Sequence, residues 1–462
     1  MALTLDYNFA EDKSLVARTG PTLDFTRASD GTYFDSAGVL QTATTDAARF
    51  DHDPSDSNKS LGLLVEEART NLVLRSEEAN HASWSNGFSG GVTVTADDAN
   101  APDGNATADK LTGIDLGNDA LDQTLTLVAS TQYVASWFIK NVDSATSQLT
   151  LYDNNLGATD ANVRFTWAAG VPTASVNNGT DDFDIEDKGG GWYRIWIAWT
   201  TPGTVTTHRI MMAPDWDNGQ KSIHVWGAGI ELGAFPTSYI ATVATSVTRA
   251  LDAPLTATMT WLNATAPTFF IEASQPYVDI GSPSRLLEAN DGGTTDRFFL
   301  NISVAQAFSA QMINSGGANA NTGPANSISA GVVFRATAGF SQDDSIAAMD
   351  GTADASPETA CDLPPADTLT QLLVGHAAGL VHFNGHFRAL GQYDERLADD
   401  VIAALSLGPV AFPDFGVINA DGAAPTAALF NITDWIGMGA GGGIRNDDDE
   451  VEMLVESFMK AV

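Results

Sequence analysis

The chain has 462 residues, 44% of them hydrophobic, and its 58 acidic against 22 basic side chains give a formal net charge of -36. That length exceeds what one core fills, so two or three domains are expected. A surface this negative repels phosphate backbones and anionic lipid, which argues against nucleic-acid binding, and it suits a protein kept soluble in salty water.

The only cysteine, Cys361, excludes an internal disulfide framework and any thiolate metal cluster. No run approaches the roughly 18 apolar residues of a membrane span, so no membrane insertion is expected. The opening Met1-Ala2-Leu3-Thr4-Leu5-Asp6-Tyr7 lacks the basic and apolar stretches of a secretory signal, and synthesis in the cytoplasm is the expectation.

Helical periodicity is scarce. Short runs rich in Val, Ile, Thr, Phe and Trp alternate with Gly, Asn, Asp and Pro, the texture of sandwiches and jelly rolls. The fold class is therefore all-β, with tandem β-sandwich (jelly-roll) domains, an irregular N-terminal segment and a short C-terminal helix. Residues 1–75 carry little repeating pattern but several arginine-centred turns, and are read as an attachment segment. Residues 76–246 form a first β domain. Its strands include Gln132 to Lys140, then Trp192 to Trp199, apolar on both faces and so covered on both sides, and a closing strand from Ser222 to Leu232. Residues 247–407 form a second, opened by Thr268 to Ala273, closed by His382 to Leu390 and capped by a helix from Leu397 to Ser406. Residues 408–462 are a Gly- and Pro-rich tail with a helix from Asp447 to Lys460, read as a docking or oligomerisation element. Acids crowd the start of that helix and a lysine sits at its end, matching the helix dipole.

Several strings carry a resemblance. Leu23-Asp24-Phe25-Thr26-Arg27-Ala28-Ser29-Asp30-Gly31-Thr32-Tyr33-Phe34, then Ala48-Arg49-Phe50-Asp51, then Leu61-Gly62-Leu63-Leu64-Val65-Glu66-Glu67-Ala68-Arg69-Thr70-Asn71-Leu72 resemble the N-terminal segment of phage tail-fibre and head-spike proteins, with relatives in gene transfer agents. Gly189-Gly190-Gly191-Trp192-Tyr193-Arg194 and Val225-Trp226-Gly227-Ala228-Gly229-Ile230-Glu231-Leu232 resemble the carbohydrate-binding-module-like jelly roll that follows it in that family. Phe383-Asn384-Gly385-His386-Phe387-Arg388 resembles, more loosely, a concanavalin A-like (laminin G-type) sandwich. The resemblance spans residues 20–245 well and 265–407 loosely, and stops in the tail. It implies location on a virion and contact with host cell-surface glycans, with other virion proteins as partners. Weak single sugar contacts favour several copies acting together, so a homo-oligomer, by preference a trimer, is expected. A purely structural head or tail decoration protein and a polysaccharide depolymerase are the alternative functions.

Tryptophans offer the first candidate site, because aromatic rings pack on the C–H faces of sugars while neighbouring polar groups bond the hydroxyls. Trp84, Trp137, Trp167, Trp192, Tyr193, Trp196, Trp199 and Trp226 read mostly as core. Trp216, between Asp215 and Asp217-Asn218-Gly219, falls on a turn and reads as exposed. Trp216, Asp215, Asp217 and Asn218, with Tyr152 and Asn154 as a polar edge, are the candidate glycan-binding residues. No organic cofactor is expected. Calcium is the one cofactor the residues could serve: Asp215 and Asp217 place oxygen ligands at alternate positions, although Asx-rich turns are common without metal.

Catalysis finds little support. Asp182-Phe183-Asp184-Ile185-Glu186-Asp187 alternates carboxylates as a glycosidase strand would, but a solvated edge before the Gly189 turn is the preferred reading. His382 and His386, read as one strand, would stand about 13 Å apart. No His-Glu-x-x-His, Gly-x-Ser-x-Gly or phosphate loop is present, so the chain is read as a non-enzyme. Arg18, Arg27, Arg49, Arg69 and Arg75 pair with carboxylates to fix irregular backbone, dock another virion protein, or do both.

Overall fold

The computed structural model describes residues 3–407 apart from 89–90, 115–118, 205, 218, 278–281, 366 and 378–380. The tail 408–462, with its expected helix from Asp447 to Lys460, lies outside the described residues. Within them the protein is all-β, with 31 strands and two short helices arranged as sandwiches. No helix among the described residues is long and apolar enough to cross a membrane.

The first sandwich is built on the three strands whose residues are apolar on both faces. Trp192–Thr200, Gln132–Asn141 and Ser222–Leu232 lie side by side in a six-stranded antiparallel back sheet, flanked by Asp182–Asp187 on one side and by Ala108–Gly113 and Val92–Ala99 on the other. A front sheet of the same size runs Val171–Asn178, Ala158–Ala168, Thr146–Asp153, Thr206–Ala213, Ala120–Leu127 and Ser85–Phe88. Alternation sends Trp137, Ile139, Ile195, Ile197 and Trp199 from the back sheet, and Leu149, Leu151, Phe165, Ile210 and Met212 from the front, into one core. Truncating an indole such as Trp137 in that core would cost about 3–5 kcal/mol.

Residues from both ends of the chain share the second sandwich. Its eight-stranded sheet pairs Gly385–Tyr393 with Thr268–Ser274 on one side and with Asp56–Val65 and Leu3–Tyr7 on the other. In the seven-stranded partner sheet, Asp24–Thr26 pairs with Ala253–Thr256. Leu5, Tyr7, Phe9, Leu63 and Val65 are thus core to Phe269, Phe298, Phe340 and Phe387. The first sandwich is inserted between two strands of the second, and Arg69–Asn71 pairs with Val247–Arg249 where the chain leaves and returns. Together they form one compact unit, Met1–Pro409. The helix Asp399–Leu405 seats Ile402 against Ile346 and Tyr393, with Asp399 and Asp400 at its positive end.

The strand expected from His382 begins at Gly385, leaving His382 in the preceding loop. Gly189, at the hairpin before Trp192, has φ +75, and a Cβ there would meet the Pro54 carbonyl oxygen at 2.2 Å. This glycine lets the N-terminal segment lie directly on the hairpin.

Candidate functional site

The two outward faces of the first sandwich differ. On the back sheet, Phe138, Trp192 and Trp226 are roofed by Phe34, Leu40 and Tyr239, and Val134, Trp196 and Ala198 by Tyr277. Arg194, on the same face, donates to the Thr237 carbonyl at 2.6 Å and to Ser136 Oγ at 3.1 Å. That face is an internal interface. The front sheet presents Gln148, Thr150 and Tyr152 from one strand, Arg164 from a second and Met211 and Ala213 from a third, all of opposite parity to the core residues.

All of these but Arg164 help to line a cleft of about 230 Å³, formed by Ala120, Gln148, Thr150, Tyr152, Thr159, Met211, Ala213 and Trp216. Trp216 sits on the turn after Thr206–Ala213, but it is half-buried rather than fully exposed, because its ring leans on Ala120, Met211 and Ala213. Arg164 holds its guanidinium 4.1 Å from the indole centroid and donates from Nε to Gln148 Oε1 at 3.1 Å. Gln148 in turn donates to Thr150 Oγ1 at 2.8 Å. A cation on an aromatic face fixes both groups. The cleft therefore offers a half-buried indole and apolar side chains beside amide and hydroxyl groups, with the Arg164 guanidinium lying over the indole next to it.

Asp215 and Asp217 shape the turn instead of lining the cleft. The Asp215 carboxylate is buried and accepts from the backbone N–H groups of Asp217 at 3.0 Å and Lys221 at 3.1 Å, and also from that of Gly219. Asp217 accepts from Thr146 Oγ1 at 2.7 Å, and the Trp216 N–H donates to the Thr146 carbonyl at 3.0 Å. With Asp215 occupied by three backbone donors, its oxygens are not offered to a sugar. Neither Asp belongs to a cluster of three metal-competent groups among the described residues. Asn218 lies outside the described residues. Asn154, half-buried, stands just beyond Tyr152, its N–H bonded to the Thr207 carbonyl at 2.9 Å.

Of the remaining aromatic candidates, Trp84, Trp137, Trp192, Tyr193, Trp196, Trp199 and Trp226 are all buried. Trp167 is partly exposed but packs on Phe165 and Tyr193 and donates to Ser147 Oγ.

The carboxylate run Asp182–Asp187 is not uniformly solvated. Glu186, 14% exposed, accepts from Trp196 Nε1 at 2.9 Å and from the Tyr277 hydroxyl, and pairs with Lys188 at 2.7 Å. Burial alone would raise this carboxyl, yet Lys188, Arg194 and these hydrogen bonds hold it below the ordinary range. The residue is a junction group, because its strand faces Tyr277 from the second sandwich rather than water. Asp184 and Asp182 do remain exposed.

The N-terminal arginines divide the same way. Arg27 and Arg49 have fully buried side chains, which excludes docking for both. Arg27 meets Asp252 at 3.1 Å, and Arg49 meets Glu66 at 2.8 Å and also Asp252, with Arg249 at 3.6 Å from Glu66. Glu66 also accepts from the Ser238 N–H at 2.8 Å. This cluster sits where the chain passes between sandwiches. Arg69 pairs with Glu67, Arg75 with Glu78, and Arg18 with Glu11 and Asp12. His386 meets Asp51 at 2.9 Å.

No protein-family model matches the chain, and no curated protein matches it in sequence. Among solved structures it is similar to the CBM40 module of a Ruminococcus gnavus IT-sialidase, at 15% identity and TM-score 0.27, over 31% of this chain and 83% of that one. It is similar to domains LG4-5 of the mouse laminin alpha1 chain, at 13% identity and TM-score 0.22, over 58% of this chain and 83% of that one. A sialidase from Trypanosoma rangeli is also similar, at 8% identity and TM-score 0.26, over 63% of this chain and 53% of that one. At these identities and TM-scores the likeness carries no argument about what this chain does.

Proposed function

We propose that the chain is a non-enzymatic glycan-binding protein that takes a sugar residue of a host cell-surface polysaccharide into the cleft between Trp216 and Tyr152. The carrying observation is the pairing of a half-exposed indole with Arg164, Gln148 and Thr150 on the open face of the first sandwich. Cleavage is disfavoured because Glu186, the best-placed partner for Asp184, has its carboxylate occupied by Trp196, Tyr277 and Lys188. The finer reading, a tail fibre or head spike displayed in several copies on a phage-like particle, rests on the N-terminal motif resemblance.

A glycan array probed with the whole chain and with Trp216→Ala tests the proposal. Binding that is lost in the variant, without release of reducing ends from the bound polysaccharide, is the expected result. Signal equal in both proteins would move the site elsewhere, and silence of both would favour a decoration role. Mass spectrometry of purified particles tests the location.

A further inference from the structure

Three strands of the front sheet converge behind Tyr152. Asp153 ends Thr146–Asp153, Asp160 lies in Ala158–Ala168, and His208, opposite Asp153 in register, lies in Thr206–Ala213. Asp153 and His208 have fully buried side chains, and Asp160 is 11% exposed. His208 Nε2 stands 2.7 Å from Asp160 Oδ2 and 4.0 Å from Asp153 Oδ2, and the three ligand atoms all lie within 4.8 Å of one another. We propose that Asp153, Asp160 and His208 form a structural site for a divalent transition metal of the zinc class.

Asp153 supplies the independent observation. Its Oδ1 accepts from the N–H groups of Asn155 at 2.7 Å and Leu156 at 3.1 Å, whereas Oδ2 accepts no hydrogen bond among the described residues although it is buried. A buried carboxylate oxygen without a partner is costly. An imidazolium at His208 does not remedy this, because 4.0 Å is beyond hydrogen-bond reach and one positive charge against two carboxylates leaves a net negative charge inside the sandwich. A divalent cation with neutral imidazole sums to zero.

Ligands about 2.0–2.2 Å from a tetrahedral zinc stand roughly 3.3–3.6 Å apart, so on binding the 2.7 Å contact would open and the 4.0 Å one close, each by less than about 1 Å. An imidazole nitrogen among only three protein ligands suits zinc or its neighbours; calcium seeks six to eight oxygens. Asp160, 11% exposed where the other two side chains are fully buried, marks the side from which the ion and a water as fourth ligand would enter. Trp199, its ring 6.4 Å from that of His208, walls the inner side. A metal here would cross-link three strands and brace the turn that follows Tyr152, so the site is separate from the Asp215–Asp217 turn.

The test is calorimetric titration of the chelator-treated full chain with Zn2+, in saline containing excess Mg2+ to saturate the acidic surface. One Zn2+ per chain is expected, with a higher melting temperature in its presence. Asp153→Asn and His208→Gln should each weaken binding by more than about 100-fold, since even outer-sphere partners cost about 10–100-fold. Asp217→Asn should leave it unchanged. Should those two variants fail to fold, Asp160→Asn, at the least buried of the three, decides by the same loss. No stoichiometric Zn2+ in the unaltered chain, or full affinity in a folded Asp153 or Asp160 variant, would overturn the proposal in favour of a protonated-histidine triad.

Discussion

Arg49 and Asp252, 203 residues apart in sequence, meet as an ion pair with neither side chain exposed to solvent. The contact joins a turn of the N-terminal segment to the strand-pair junction where the chain returns from the first sandwich. Two further arginines, Arg27 and Arg249, and the carboxylate of Glu66 complete the cluster. Desolvation makes such a group expensive to assemble, and its worth lies in what happens when one member is lost.

Asp252→Asn is accordingly expected to destabilise the chain by about 3–5 kcal/mol, because it strands buried guanidinium charge. Urea unfolding followed by tryptophan fluorescence measures this. Arg18→Gln, which removes an exposed pair with Glu11 and Asp12, should change stability by less than about 1 kcal/mol under the same conditions.

The junction at Tyr277 makes a second prediction. Tyr277→Phe keeps the ring against Phe235 and Trp196 but removes the hydroxyl donor to Glu186. Loss of that donor should cost about 1–3 kcal/mol, read as a lower melting temperature, with little effect on glycan binding at the far face.

Acid sensitivity follows from two buried groups. Burial, with the neighbouring His382 adding to it, pushes His376 from its ordinary 6.5 down to about 4. Below pH 6.5 the unfolded chain takes up a proton that the folded chain refuses, so stability falls from there until about pH 4, by up to about 3 kcal/mol. Burial would raise Glu66, but Arg249, Arg49 and Ser238 hold it well below the carboxylate range, so its contribution is lost as pH drops below 4.5. Melting temperature measured between pH 7 and 4 should decline, and His376→Gln should flatten the upper part of that decline.

Strands apolar on both faces were legible because burial on both sides leaves so plain a mark: Ser222–Leu232 has the expected bounds, and Gln132–Asn141 and Trp192–Thr200 differ from them by one residue. The short helix expected from Leu397 to Ser406 is present as Asp399–Leu405, inside those bounds. Pairings such as Leu3–Tyr7 with Gly385–Tyr393 were not legible, since short strands almost a full chain length apart carry no local signal of each other. Around the cleft, turn chemistry located Trp216, but the same chemistry turned Asp215 inward onto backbone donors. Arg164 is not legible in the sequence, because its place beside Gln148 is set by strand register and its contact with the indole by the fold of a distant turn. Asp153, Asp160 and His208 form no motif, and the bulge between Leu151 and Tyr152 further obscures which face each residue takes.

Affinity electrophoresis through gels containing bacterial surface polysaccharides, comparing the unaltered chain with Trp216→Ala at matched melting temperature, decides whether the Trp216 cleft binds glycan. Retardation of the unaltered chain by at least one polysaccharide is expected, with about 10-fold weaker binding, about 1.4 kcal/mol, in the variant. Equal retardation of both proteins would contradict it.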